Sequence, residues 1–459
     1  MKHLFLGASA LVAMLNAAPA AADTLRDSLI AAYETNPVLK SERANLRATD
    51  EQAAQARAQG RIQINASGSY EYADSEFKAG AVPNRPFAIA GEQQEETFSR
   101  QITAEQPVFR GFRTLNAKRQ ADAAIDAGRA NLLSVEQQVL LDGVTAYMDV
   151  LRDEAVVSLR ENNVAVLDRQ RQASKDRFEV GEVTRTDVAQ AEARLAGARA
   201  ELIAARANLQ VSRAAFRRVI GNPPGTLSPP PPLPELPETE EAAQAVADQL
   251  NPVILTARAT EVSSRRAVDV AKGALLPTLS ARVEWSRAEE QVLANSVSDR
   301  TALIGQLSVP IFQGGVNHSN VRQAKQQNSR DRMQIVAADR DVEEQVRNAW
   351  ENLAAARAAI LSSKEQVRAN EIAFEGVEQE AQVGSRTTLD VLDAEQELLD
   401  SRVQLVQVER DEYVAGFALV SAIGGLTAGG LGLDVDLYDP TRNTQRAKRR
   451  WVGFGVNDE

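Results

Sequence analysis

From Val188 onward, Ala191, Leu195, Ala198, Leu202, Ala205, Leu209, Ser212, Phe216 and Val219 are apolar or small and step by three and four, which predicts a long helix carrying a heptad seam. Large and small side chains alternate along it, so a neighbouring helix can approach at the Ala and Ser positions while Leu and Phe fill the gaps beside them. Val391, Ala394, Leu398, Ser401, Leu405 and Val408 repeat the scheme, which is then expected to falter at Glu412. Upstream of each seam, residues 111–179 and 314–382 lack proline and predict helices of about 100 Å, at about 1.5 Å per residue. A second period, of two, marks other segments. Ile62, Ile64, Ala66, Gly68, Tyr70 and Tyr72 alternate with polar neighbours, as do Leu279, Ala281, Val283 and Trp285, predicting half-buried strands at about 62–73 and 278–286. Return strands are expected at about 98–108 and 301–309, and each strand has the length of about ten residues that a tilted strand needs to cross a bilayer.

These elements occur twice. Gln106-Pro107-Val108-Phe109-Arg110-Gly111 matches Val309-Pro310-Ile311-Phe312-Gln313-Gly314, Val180-Gly181 matches Val383-Gly384, and Gly221 matches Gly424, all at an offset of about 203 positions. The span between Pro107 and Gly221 therefore overlays its copy without insertion, as a rigid rod requires. Asn36-Pro37-Val38 matches Asn251-Pro252-Val253 at a larger offset, which puts the excess length of the first copy between its strands, within Ala73 to Thr97, in a surface loop. The expected organisation is a first repeat over 23–221, a Pro-rich extended connector over 222–239, a second repeat over 240–424, and a Gly-rich end with a polar tail over 425–459, read as loop with partial disorder.

Composition narrows the function. Lys2 and His3 precede an apolar run from Leu4 to Leu15 and then Ala17 to Ala22, the pattern of a secretory signal peptide over 1–22. No later run is apolar enough for a transmembrane helix. The chain has no cysteine and only two histidines, His3 and His318, so disulfides, thiolate chemistry and a histidine-based metal or acid–base site are not expected. No cofactor and no metal is predicted, and no enzyme activity. With 52 Lys+Arg against 63 Asp+Glu there is no basic surplus for phosphates, so nucleic acid is not an expected partner.

Strand pairs leave edges, and in lipid every backbone donor and acceptor must be satisfied, so the strands must close into a barrel. One chain supplies four predicted strands, fewer than the eight of the smallest outer-membrane barrels, so several chains must share one.

Val383-Gly384-Ser385-Arg386-Thr387-Thr388-Leu389-Asp390-Val391-Leu392-Asp393-Ala394-Glu395, both Asn-Pro pairs and the strand ends Pro107-Val108-Phe109 and Pro310-Ile311-Phe312 resemble the TolC family over essentially the whole mature chain. The resemblance implies a mainly α fold with a membrane β-barrel. It implies a homotrimer with a twelve-stranded β-barrel in outer-membrane lipid, joined to a twelve-helix α-barrel tunnel in the periplasm. It further implies a passive exit duct of a tripartite type I secretion or efflux system, served by a periplasmic adaptor and an inner-membrane ABC or proton-driven transporter. The alternative from the residues alone is a periplasmic coiled-coil adaptor or scaffold, which has no need of two bilayer-length strand pairs.

The candidate sites lie at the two helix-to-helix turns. Gly181 and Gly384 are expected as left-handed helix caps, and by resemblance Val180, Gly181, Val383, Gly384 and Arg386 are adaptor contacts. Thr184 with Asp187, and Thr387 with Asp390, fit a helix-capping signature. Asp393 has Gln190 as its repeat counterpart, so capping does not account for it. The resemblance makes Asp390 and Asp393 the lining of a periplasmic gate, with Asp187 and Arg386 as further gate candidates. Ala381 departs from the tyrosine that some family members use to latch the tip.

Overall fold

The computed structural model describes residues 23–77, 91–289 and 296–456. The expected leader over 1–22, and most of the expected loop between the first two strands, lie outside them. The chain order is α1 (Leu25–Thr35), α2 (Pro37–Ala58), β1 (Gln63–Phe77), β2 (Gly91–Arg110), α3 (Arg113–Glu179), α4 (Arg185–Ile220), α5 (Glu240–Leu250), α6 (Pro252–Gly273), β3 (Thr278–Glu289), β4 (Val297–Ser308), α7 (Val316–Gln382), α8 (Thr388–Ala422) and α9 (Pro440–Arg449). Both Asn-Pro pairs start helices. The Asn36 and Asn251 side-chain oxygens accept from the Val38 and Val253 N–H groups at 2.9 and 2.8 Å, and the proline takes the first helical position, where a missing N–H costs nothing. The proline-free stretches become α3 and α7, each an unbroken helix of 67 residues. No described helix is long and apolar enough to cross a membrane.

Two compact units divide the chain: one uses the chain up to Leu39, Glu136–Ala243 and Val346–Leu437, and the other Lys40–Val135, Gln244–Gln345 and the chain from Tyr438.

The second unit holds a four-stranded antiparallel sheet in the order β1-β2-β3-β4. Its strands run further toward the loop ends than the alternation of the sequence predicts, because ladder pairing persists through polar residues such as Glu71↔Thr97 and Arg287↔Asp299. Register puts Ile64 beside Ala104, Ala66 beside Ile102, Ile102 beside Trp285 and Val283 beside Leu303, so one face is an apolar band. The opposite face is polar: Ser69 and Ser99 hydroxyls meet at 2.7 Å, and Arg282 bonds Glu105 at 2.8 Å. None of the strand residues with described side chains is buried. Pro107, which has no N–H to give, sits at a register shift before Phe109. At the helix-bearing rim, Gly111 at φ +60 approaches Gly273 so closely that a Cβ on Gly111 would lie 2.3 Å from the Gly273 carbonyl oxygen.

The expectation of a loose tail is overturned in this unit. Residues 440–449 form α9, whose Asn443 and Thr444 bond the fully buried Asp50 carboxylate of α2 at 2.8 and 2.6 Å. A buried carboxylate requires partners, and the tail supplies them. Lys448 pairs with Asp122 of α3 at 2.6 Å.

In the first unit, all nine seam positions of α4 from Ala191 to Val219 are buried. The Pro-rich connector is clamped rather than merely extended. The Tyr147 hydroxyl donates to the carbonyls of Asp23 and Ser228 at 3.0 and 2.6 Å, and the Tyr413 hydroxyl to that of Pro231 at 2.9 Å. The stripe on α8 does not stop at Glu412. It shifts to Tyr413, Gly416, Phe417 and Val420, all buried, as a straight helix drifting away from a strict heptad demands. The Gly-rich segment that follows is packed: Leu426 and Ala428 are fully buried, and the Ala428 N–H donates to Glu136 at 2.8 Å.

Candidate functional site

Each long helix ends in the same way. The Gly181 N–H returns to the Phe178 carbonyl at 3.0 Å and the Glu182 N–H to that of Arg177 at 2.9 Å; Gly384 and Ser385 do the same to Ala381 and Glu380 at 3.2 and 2.9 Å. This paired closure needs a left-handed residue, and Gly181 and Gly384 sit at φ +82 and +80. A capping threonine follows at Thr184 and Thr387. The Thr184 N–H donates to Asp187 at 2.8 Å while the Asp187 N–H donates to the Thr184 hydroxyl at 3.3 Å, and Thr387 with Asp390 repeats this at 2.9 and 3.3 Å. Asp187 and Asp390 therefore complete capping boxes at the positive ends of α4 and α8. The Thr387 N–H and hydroxyl hold the Asp390 carboxyl below the usual carboxylate range, with nearby Arg386 adding to the effect.

The residues between cap and helix differ in charge. Arg386 bonds Glu380 at the end of α7 at 2.8 Å, and that carboxylate raises its guanidinium pKa above the ordinary value. Val180 and Val383 point outward, 72% and 81% exposed. Among the described residues nothing lies within 4 Å of where a Cβ on Gly181 or Gly384 would stand, so the backbone of both turns is bare, with Glu182 exposed beside one valine and Arg386 near the other.

One turn into α8, Asp393 is held by the Arg194 guanidinium of α4. Sequence reasoning missed Arg194. The repeat overlay carried the signal: Gln190 aligns with Asp393 and Arg194 with Glu397, so the two copies are charged differently at matching positions, which is what a cross-copy ion pair leaves behind. Beneath it, Leu167 of α3, Leu195 and Ala198 of α4 and Leu392 of α8 form a small core.

Glu395 was also missed. It is buried in a cavity of about 520 Å³ lined in part by Asn163, Val166, Phe374, Glu378, Leu398 and Arg402, where the Asn163 amide donates to it at 3.2 Å. Burial pushes its carboxyl up to about 7; Glu378 on α7 adds to the rise, while the Asn163 bond and Arg169 on α3 oppose it. Also facing the cavity are Glu375 and Glu371, the latter paired with Arg402 at 2.7 Å. The first copy has Glu192 at the matching place, exposed and paired with Lys175 at 3.0 Å, so identity of residue does not bring identity of environment.

Of the predicted residues, the turns bring together Val180, Gly181 and Asp187 at one tip and Val383, Gly384, Arg386 and Asp390 at the other. Asp393 lies deeper, bound to α4.

Residues 29–222 and 245–425 match the family of outer membrane efflux proteins. The outer membrane efflux protein BepC of Brucella suis biovar 1 (strain 1330) is 36% identical over 97% of this chain and 95% of its own length. The outer membrane protein TolC of Escherichia coli (strain K12) is 25% identical over 85% of this chain and 80% of its own. The crystal structure of the Campylobacter jejuni CmeC outer membrane channel superposes with a TM-score of 0.77, covering 93% of this chain and 89% of that one at 16% identity, a likeness of fold. The two strand pairs, each followed by a capped helical hairpin, and the match across both halves lead to one conclusion: this chain belongs to the outer membrane efflux protein family.

Proposed function

We propose that three copies of this chain pool their strands into one twelve-stranded barrel and their long helices into one tunnel. The protein is an outer-membrane efflux and secretion duct with a periplasmic helical part. The observation that supports the pooling of strands between copies, whose number the family resemblance supplies, is the sheet itself: four strands with an apolar face, a polar face and no buried side chain among those described. Such a sheet is unsatisfied alone, since β1 and β4 each leave an unpaired edge. Three copies close the ring with the apolar band toward lipid and the polar face toward water. An adaptor or scaffold would have no use for this band.

Conduction is passive, and a periplasmic adaptor and an inner-membrane ABC or proton-driven transporter supply substrate and energy. The apolar tips at Val180-Gly181 and Val383-Gly384, with Arg386, are the adaptor contacts. Asp390 and Asp393, repeated by threefold symmetry, form an anionic constriction that narrows the tip and favours cations, with Asp187 and Arg386 beside it. The purified mature protein is expected to migrate as a trimer in detergent and to form ion-conducting channels in planar bilayers. A soluble monomer that never enters lipid would overturn the reading.

A further inference from the structure

The chain after α9 has a composition that neither the barrel nor the tunnel uses. Trp451, Val452, Phe454 and Val456 are 68%, 89%, 103% and 77% exposed, four apolar side chains turned outward within six residues. They do not trail freely. The Arg61 guanidinium lies over the Trp451 ring, 4.3 Å from its centroid, and donates to the Arg450 carbonyl at 3.1 Å, while the Arg450 guanidinium bonds the Gly455 carbonyl and curls the segment back. Arg61 stands two residues before β1, so the segment is fastened at the helix-bearing rim of the sheet. That rim is where the barrel meets the periplasm. Immediately before the aromatic residues, α9 buries Thr444 and Ala447 inward and leaves Arg446 and Arg449 exposed, with Arg450 following.

We propose that residues 451–456 and the exposed basic face of α9 form a membrane-interface anchor, which binds anionic phospholipid of the periplasmic leaflet beside the barrel. Two independent features select this occupant. Charge is complementary: Arg446, Arg449 and Arg450 face outward on a chain whose net charge is -11, so their attraction to anionic headgroups is local to this patch. Apolar surface is of the interfacial kind, since tryptophan and phenylalanine settle at headgroup depth with a polar partner on one side, here Arg61 on Trp451. The surface is also continuous with an interface already assigned, because Ile62 and Ile64, exposed at the base of β1, begin the lipid-facing band next to the Arg61 tether. A flexible polar tail would need neither the tether nor the aromatic side chains.

The inference rests on the outer-membrane barrel, and its test separates the two. The mature full-length chain is reconstituted in phosphatidylethanolamine–phosphatidylglycerol vesicles doped with phospholipid brominated near the headgroup or deep in the acyl chains. Two single-tryptophan proteins are compared: Trp451 alone (Trp285→Phe, Trp350→Phe) and Trp285 alone (Trp350→Phe, Trp451→Phe). Trp285, on the apolar face of β3, reports barrel insertion. Trp451 emission is expected to shift to the blue and to be quenched most by shallow bromines. Each of Arg446→Ala and Arg449→Ala is expected to lower the ratio of lipid-bound to free segment by about fivefold, the equivalent of about 1 kcal/mol per basic residue. Unquenched Trp285 would remove the barrel reading. Quenched Trp285 with Trp451 open only to aqueous iodide overturns the anchor alone, and Trp451 shielded from both quenchers overturns it by placing the segment against a second copy.

Discussion

The turn at Gly181 and the turn at Gly384 share a backbone and part company in charge. Both close on a left-handed glycine, both restart on a threonine and aspartate that cap each other, and the bond lengths agree to within about 0.2 Å. Yet Glu182 and Val183 on one face Ser385 and Arg386 on the other, and Gln190 faces Asp393. Both copies have what makes a sharp reversal between two long helices, a requirement indifferent to what surrounds it. They differ in the side chains that meet different neighbours. The lesson is that symmetric residues here position the tips, and the asymmetric ones set how the two turns differ in charge.

The sharpest asymmetry is in packing, and it gives the largest expected effect. Leu392 is buried in the core with Leu167, Leu195 and Ala198, whereas its counterpart Ala189 is exposed. Leu392→Ala should destabilise the start of α8 by about 2–5 kcal/mol, read as faster amide exchange over α8. Ala189→Ser should leave α4 within about 0.5 kcal/mol of its parent. Equal responses would show that the two hairpins are packed alike after all.

The second test uses the two matching glutamates. The Glu395 carboxyl is raised from 4.5 to about 7 by burial, so the folded state resists its ionisation. Stability from this group is fully present below the unfolded value, and it is lost as pH rises from about 4.5 through about 7. The loss should be on the order of 1–3 kcal/mol, discounted for partial solvation. The protection factors of amides near Glu395, exchange being corrected for its intrinsic acceleration by hydroxide, should fall between pH 5 and pH 8, Glu395→Gln should abolish that fall, and Glu192→Gln should not change it. A dependence that survives Glu395→Gln assigns the titration elsewhere.

How much of this could be read beforehand follows a physical divide. The α4 seam, both turns and the capping boxes depend on residues close in sequence or on a fixed period, and the sequence carried them without error. A strict heptad predicts that the α8 seam ends at Glu412, but a helix of 3.6 residues per turn rotates off that repeat and carries the buried stripe on to Tyr413 and Phe417. Asp50 and α9 lie far apart along the chain, and nothing local to an acidic residue in a polar helix says that it is buried. Polar composition made the tail look loose, when Thr444 and Asn443 were polar because they answer that carboxylate. The same holds for Arg194, whose partner stands on another helix in the other copy.

Thr184→Ala and Thr387→Ala each remove the hydroxyl that accepts from the third residue of the helix, and each should cost about 1 kcal/mol. The two losses should agree and appear as fraying confined to the first turn of α4 or α8. A much larger loss at Thr387 would mean that Asp390 does more than cap, since its carboxylate also feels Arg386.

The smallest effect on stability should accompany the largest on conduction. Arg194 and Asp393 are both about half exposed, so breaking their pair should cost only about 0.2–1 kcal/mol. Asp393→Ala removes three carboxylates from the proposed trimer's tip, whereas Arg194→Ala frees the same three from their partners. If the ring controls ions, the variants must move in opposite directions: cation preference falls with Asp393→Ala and rises with Arg194→Ala, in single-channel reversal potentials across a salt gradient. If the pair only fastens α4 to α8, both variants loosen the same contact, conductance changes in the same direction, and preference stays put. Asp187→Ala serves as the reference, because a carboxylate spent on a cap should alter fraying before it alters selectivity, whereas Asp390→Ala, in the proposed ring, should both fray the first turn of α8 and lower cation preference. Opposite shifts from one ion pair cannot arise from a lost contact, so the sign alone decides whether the asymmetric turn is a gate or a clasp.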